Sequence, residues 1–226
     1  HQQRTRLVRV RLNEDDSVYD RREFTVPFHY DGAESGIAAR LDGTIVYGVT
    51  RREVGLMILN PRDGTWKQVA SPGDLHTIYS LTTGQDGSTW AGLAGQLMCM
   101  KPDGDVLEYS ASTLKLPLVP LSMFTTRQNR LWVLGRIGYV YSVDLGTDEW
   151  TTYKGLNFEC ETPDGRQWFR QHGSAQIVTH ERGEWLQVGQ HDGLIEKVVM
   201  VGAASQGVVW AAGGHGGGAA IATYDG

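Results

Sequence analysis

The chain has 226 residues, enough for one sizeable domain, and its 40% apolar and 21% charged side chains are those of an ordinary globular protein. A net charge of −5 gives no reason to expect nucleic acid or an anionic membrane as partner, and no apolar run approaches the roughly 20 residues that cross a bilayer. The N-terminal HQQRTRLVRVRL lacks the apolar stretch of a signal peptide, and a start without methionine is what a mature or excised piece would show.

In chain order, residues 5–28 contain two runs of β-formers, TRLVRVRLN and REFTVPF. Four follow in GIAARL, TIVYGV, VGLMILN and TWKQVA, then four more in IYSLTTGQ, STWAGL, QLMCMKP and VLEYSA. PLSMFTTR, NRLWVLG, YVYSVDL and EWTTYKG repeat the plan, as do FECETP, RQWFRQ, AQIVTHE and EWLQVG. The last unit has three runs, IEKVVMVG, GVVWAAG and AAIATYDG. Asp-Gly pairs separate many of them, the strongest short-range hairpin signal.

The second run of each unit follows a short turn: DGTIVYGV at 42–49, DGSTWAGL at 86–93, QNRLWVLG at 128–135, DGRQWFRQ at 164–171 and QGVVWAAG at 206–213. These copies lie 44, 42, 36 and 42 residues apart. A period near forty with four strands per unit predicts an all-β fold, a β-propeller of four-stranded antiparallel blades with strands A to D running outward, in one domain over 1–226. Five B strands predict about five blades. The first two runs then read as strands C and D of a blade without A and B, and the last unit lacks D. N-terminal strands could fasten the ring by completing the last blade. They leave one strand too many, and a segment of a six- or seven-bladed ring accounts for the surplus equally well.

Trp90, Trp132, Trp168 and Trp210 recur on strand B, where Val46 stands in the first full unit. Packing between blades is the expected role of these tryptophans, and of Trp66, Trp150 and Trp185 on strand D. Cys99 and Cys160 fall on strands of different blades and read as small buried residues rather than a disulfide.

The combination of DG-x-x-W, a Gly-led apolar strand and x-W-x-x-Y, clearest in 86–110 and 129–155, resembles the two-component-regulator propeller repeat and the streptogramin B lyase type of propeller. The resemblance implies a ligand-binding domain in an extracytoplasmic setting. It carries over no catalytic residue and no cofactor.

An up-and-down blade puts its D–A and B–C loops on one face and its A–B and C–D turns on the other, and rigid scaffolds usually carry function in such loops. The D–A loops are expected at 28–36, 71–77, 113–121, 155–157 and 189–194, and the B–C loops at 49–54, 93–96, 135–139, 170–175 and 213–219. Five of seven histidines then share the D–A/B–C face: His29, His76, His172, His191 and His215. Arg51, Arg52, Arg136 and Arg170 join them, whereas His180 is expected at a C–D turn. Each alone reads as a solvated loop residue; together they make one basic face on an acidic protein.

Three functions follow. The first is recognition of a small or oligomeric anionic ligand, such as an acidic glycan, by Arg51, Arg52, Arg136, His29, His76 and His191. The second is a lyase acting by β-elimination, with His172 or His215 as base, Tyr30 as a phenolic acid and Arg170 stabilising the enolate-like charge. Two histidines holding a divalent metal is a weaker variant, and no metal site is predicted. A protein-interaction platform is third, with LKLPLVPL at 114–121 as its apolar patch. No GxSxG, HExxH, CxxC or phosphate-loop motif occurs.

Overall fold

The computed structural model describes residues 6–14, 17–27, 36–49, 55–70, 78–110, 122–126, 128–135, 138–174, 176–181, 184–204 and 207–224. They form six antiparallel sheets in which strands adjacent in sequence are adjacent in space. A two-stranded sheet of β1 (Arg6–Leu12) and β2 (Val18–Thr25) comes first. Four-stranded sheets follow: β3 (Ile37–Ala39), β4 (Ile45–Val49), β5 (Gly55–Asn60) and β6 (Thr65–Ala70); then β7 (Ile78–Thr83), β8 (Thr89–Leu93), β9 (Gln96–Met100) and β10 (Val106–Ser110). The next two are β11 (Ser122–Thr125), β12 (Arg130–Leu134), β13 (Tyr139–Asp144) and β14 (Glu149–Lys154), and β15 (Leu156–Glu161), β16 (Gln167–Gln171), β17 (Ile177–Glu181) and β18 (Glu184–Val188). A three-stranded sheet of β19 (Lys197–Ala203), β20 (Val209–His215) and β21 (Gly218–Tyr224) closes the series. The expected multi-blade propeller is the observed fold. The short terminal sheets are the predicted C–D and A–B–C pieces.

The turn chemistry explains the repeat. At each A–B turn the last residue before the turn donates its N–H across to the residue four further on: Arg40 to Thr44, Gly84 to Ser88, Thr126 to Arg130, Thr162 to Arg166 and Ala204 to Val208, all at 2.8–2.9 Å. Where the turn carries Asp-Gly, the Asp Oδ1 accepts the N–H two residues on, as Asp42 does from Thr44 (2.8 Å) and Asp86 from Ser88 (3.0 Å). The glycine beside it takes positive φ, and Asn129 fills that place at φ 56 in the one copy without glycine. The Thr44 hydroxyl on Asp42, and the Thr162 hydroxyl on Asp164, hold both carboxyls below the usual aspartate range.

Burial follows the tryptophan ladder. Trp90 and Trp132 stack on Tyr109 and Tyr153 of their own sheets, each with ring centroids 5.5 Å apart. Their far sides meet the next sheet, Trp90 in a cluster with Met123 and Val133, and Trp132 with Phe169 at 4.9 Å. Trp168 clusters likewise with Val198 and Val201. Val46 does the same for the first full blade, in a cluster with Ile78 and Ala91. Cys99 and Cys160 are free, and burial pushes each thiol up to about 11, as for inert packing residues.

His180 departs from expectation. It belongs to strand β17 rather than to a turn, paired with Trp185 and Gln167, and is 7% exposed at the contact with the preceding blade. Its ring lies 4.8 Å from Trp185, 5.9 Å from Trp132 and 6.5 Å from Tyr153, with Nδ1 3.3 Å from Gln167 Oε1. Burial, helped by the Arg130 charge, holds its pKa below the ordinary histidine value. The unfolded chain, titrating near ~6.5, therefore takes up the proton first as pH falls. The stability due to neutral His180 is full above that value and declines below it. Thermal melts between pH 8 and 5 should show a falling Tm, and His180→Phe should flatten the slope. Equal slopes in both proteins would show that His180 is not the titrating group.

Candidate functional site

The loops of the fourth full blade carry most of the predicted face that is described. Between β14 and β15 the D–A connection is a single residue, Gly155, at φ +76, with Asn157 already inside the strand. Its N–H donates to the Gly138 carbonyl at 2.6 Å, and its own carbonyl accepts from the His172 N–H at 2.6 Å. A B–C loop of one blade, the crossing to the next and that blade's B–C turn are thus tied by a two-step backbone relay. The relay fixes the backbone of His172, whose side chain is exposed.

Beside it opens a polar cleft of about 380 Å³ lined by Ser174, Gln176, Gly189, Gln190 and His191. Ser174 and Gln176 flank the turn after β16, and the Ser174 hydroxyl accepts the Gln176 N–H at 2.9 Å. The Gln176 side-chain oxygen accepts from both Ser174 and Gln187. Gln190 and His191 stand on the 3-10 turn Gln190–Asp192, held by the Gly189 N–H on Asp192 Oδ2 at 2.9 Å. The cleft offers amides, a hydroxyl and an imidazole, the groups that exchange hydrogen bonds with a polar ligand.

The other predicted residues fall as follows. Arg170 Nε donates to Glu159 Oε1 at 2.9 Å, and Glu159 Oε2 also accepts the Val201 N–H at 3.4 Å, so this guanidinium already has a carboxylate partner that bridges to the next blade. His215 is the last residue of β20, not a residue of a long glycine loop. Gly216 and Gly217, at φ +57 and +81, make the two-residue hairpin to β21, which needs left-handed backbone at both places. His215 Nδ1 lies 3.9 Å from Glu196 Oε1, whose other oxygen accepts the Gly216 N–H at 3.1 Å. His29, Tyr30, Arg51, Arg52, His76, Arg136 and the 114–121 stretch lie outside the described residues. Among the described residues no three His, Cys, Asp or Glu side chains gather as a metal site requires.

Ser174, Gln176 and Gln190 were not singled out in the sequence, although the loops at 170–175 and 189–194 bring them together. Neutral amides carry no chemical signature in a sequence; only the folded loops show them converging.

No family model matches the chain, and no curated protein matches it in sequence. Solved structures do match in fold. A streptogramin B lyase shares 17% identity over 85% of this chain and 65% of its own, with a TM-score of 0.62, so this chain spans less than two thirds of that protein. A catalytically inactive virginiamycin B lyase from Staphylococcus aureus, crystallised with quinupristin, shares 14% over 89% of this chain and 69% of its own, at 0.57. The extracellular domain of a hybrid two-component system from B. thetaiotaomicron shares 13% over 88% of this chain and 28% of its own, also at 0.57. The resemblance in the repeat is therefore matched in three dimensions: this chain has the β-propeller fold seen in those lyases and in that extracellular domain.

Proposed function

We propose that this propeller is a recognition module that binds a small or oligomeric polar ligand, such as an acidic glycan, on its D–A/B–C face. The observation that carries the reading is the open polar cleft between Ser174 and Gln176 on one side and the 189–191 segment on the other. Its amides and hydroxyl suit sugar hydroxyls. His172 and His191 are exposed on the loops that form it, and Arg51, Arg52 and Arg136 belong to the same predicted face and would read the acidic groups. Solved neighbours include an extracellular domain of a sensor system, which fits such a role.

The test is a glycan array of neutral and acidic oligosaccharides probed at low salt. Saturable binding is expected, with acidic sugars preferred. His191→Ala and Gln176→Ala should each weaken it by about tenfold, the loss of roughly 1.4 kcal/mol. A protein that binds nothing on the array, or whose binding ignores both changes, excludes this face as the site.

Elimination chemistry is the second reading, supported by the Glu196 carboxylate beside His215 Nδ1, which would orient an imidazole base. It ranks lower because Arg170, the expected charge stabiliser, is compensated by Glu159.

A further inference from the structure

Acceptors in the walls of the polar cleft are already taken. Gln176 Oε1 receives one hydrogen bond from the Ser174 hydroxyl, at 3.3 Å, and another from Gln187 Nε2. A side-chain carbonyl has two lone pairs, so this oxygen has none left for a ligand. The Gly189 carbonyl is filled in the same way, by the Asp192 N–H at 2.9 Å and the Leu194 N–H at 3.2 Å. The Ser174 hydroxyl spends its proton on Gln176 Oε1 while accepting the Gln176 backbone N–H at 2.9 Å.

What remains on Gln176 is a donor. Its Nε2 protons have no partner among the described residues, and the side chain is half-buried in the cleft wall. Gln187 does not line the cleft. It stands exposed on β18, opposite Val178, and by donating to Oε1 it sets which end of the Gln176 amide is left over.

The group that fits such a wall is uncharged. Among the described residues no arginine or lysine lines the cleft, and the Asp192 carboxylate belongs to the same 3-10 turn as Gln190 and His191. A carboxylate seated there would give up water with no cation to offset the loss. An amide carbonyl needs none, and its own N–H finds acceptors in the Gln190 side-chain oxygen or a His191 ring nitrogen. Neither of those side chains has a partner among the described residues.

Resting on the recognition reading above, we propose that the cleft seats an acetamido group of the glycan, and that Gln187 is the positioning residue that makes Gln176 a donor to its carbonyl oxygen. Acidic groups of the same glycan are then read elsewhere on the face.

Titrations of N-acetylglucosamine, glucose and glucuronate into the isotope-labelled protein, followed by NMR, test this. Glucose has a hydroxyl where the first sugar has its acetamido group, and glucuronate adds a carboxylate to glucose. Read from the Gln176 side-chain amide signals, N-acetylglucosamine should bind about tenfold more tightly than either. Gln187→Glu takes the donor from Gln176 Oε1 and draws Nε2 toward itself, so it should abolish the preference. Gln187→Lys puts a donor back at the same place and should keep it. Gln176→Glu, with an oxygen in place of Nε2, should also abolish the preference, and it decides the matter if Gln187→Glu fails to fold. Equal affinity for glucose and N-acetylglucosamine, or tighter binding of glucuronate at the same signals, would overturn the proposal. So would a preference lost in Gln187→Lys and kept in Gln187→Glu, which would mean that the amide is turned the other way. The glycan array separates the two failures. A protein that binds acidic glycans there without an acetamido preference here keeps its recognition role and loses this assignment, whereas one that binds nothing in either loses both.

Discussion

Trp132→Ala should lower the stability of this protein by about 4 kcal/mol, and its Tm by roughly 8–16 °C for a chain of this size. The indole is fully buried and touches both sides of a blade interface. Tyr153 stacks on it at 5.5 Å within its own blade, while Phe169 at 4.9 Å and His180 at 5.9 Å come from the next. Removing it opens a cavity that neighbours held by strand pairing cannot collapse into. Trp210→Ala deletes the same residue type at the same repeat position, yet Trp210 is 46% exposed and has solvent where the other has Phe169. It should cost roughly 2 kcal/mol in dilute solution, about half as much, because close to half of its surface stays in water on folding. Urea unfolding of the two variants decides the matter. Equal costs would mean that burial between blades is not what the tryptophan ladder supplies.

That contrast also shows how far the sequence could be read. The A–B turns were legible because their chemistry is local: an aspartate, a positive-φ residue and an N–H two positions on, all within five residues. The same hydrogen bonds recur at Arg40, Gly84, Thr126, Thr162 and Ala204, in step with the copies seen in the sequence. Cross-strand chemistry was not legible. Glu159 meets Arg170 because β15 and β16 pair in a register interrupted by a bulge, and nothing in either residue's neighbourhood announces it. His180 lies inside the run AQIVTHE, next to the C–D turn, and only the packing against Trp132, Tyr153 and Trp185 shows that its ring is buried between blades rather than exposed at that turn. The candidate site divides in the same way. Its face followed from counting strands, but the amides of Gln176 and Gln190 converge only once the turn after β16 and the 3-10 turn at Gln190–Asp192 are folded.

The glycine-rich stretch around His215 gives the sharpest separation of roles. Read as sequence, GGHGGGA is one permissive loop. In the fold Gly213 and Gly214 lie inside β20, and only Gly216 and Gly217 form the turn. A Cβ on Gly213 would stand 1.8 Å from the Lys197 carbonyl oxygen and 3.2 Å from the Ile195 side chain. The obstacle is backbone, fixed by the bulge that shifts β19 register between Val198 and Met200, so it cannot rotate away. A Cβ on Gly214 would meet only the Gly218 carbonyl, at an ordinary 3.5 Å. Gly213→Ala should therefore cost about 3 kcal/mol, the upper range of overpacking, by prising β19 from β20 and moving Glu196 away from His215. Gly214→Ala should be within about 0.5 kcal/mol of wild type. Thermal melts of the pair check the energies, and amide hydrogen exchange across β19 checks the cause: protection should fall in Gly213→Ala alone. If both substitutions are tolerated alike, the close strand approach is not what this glycine is for.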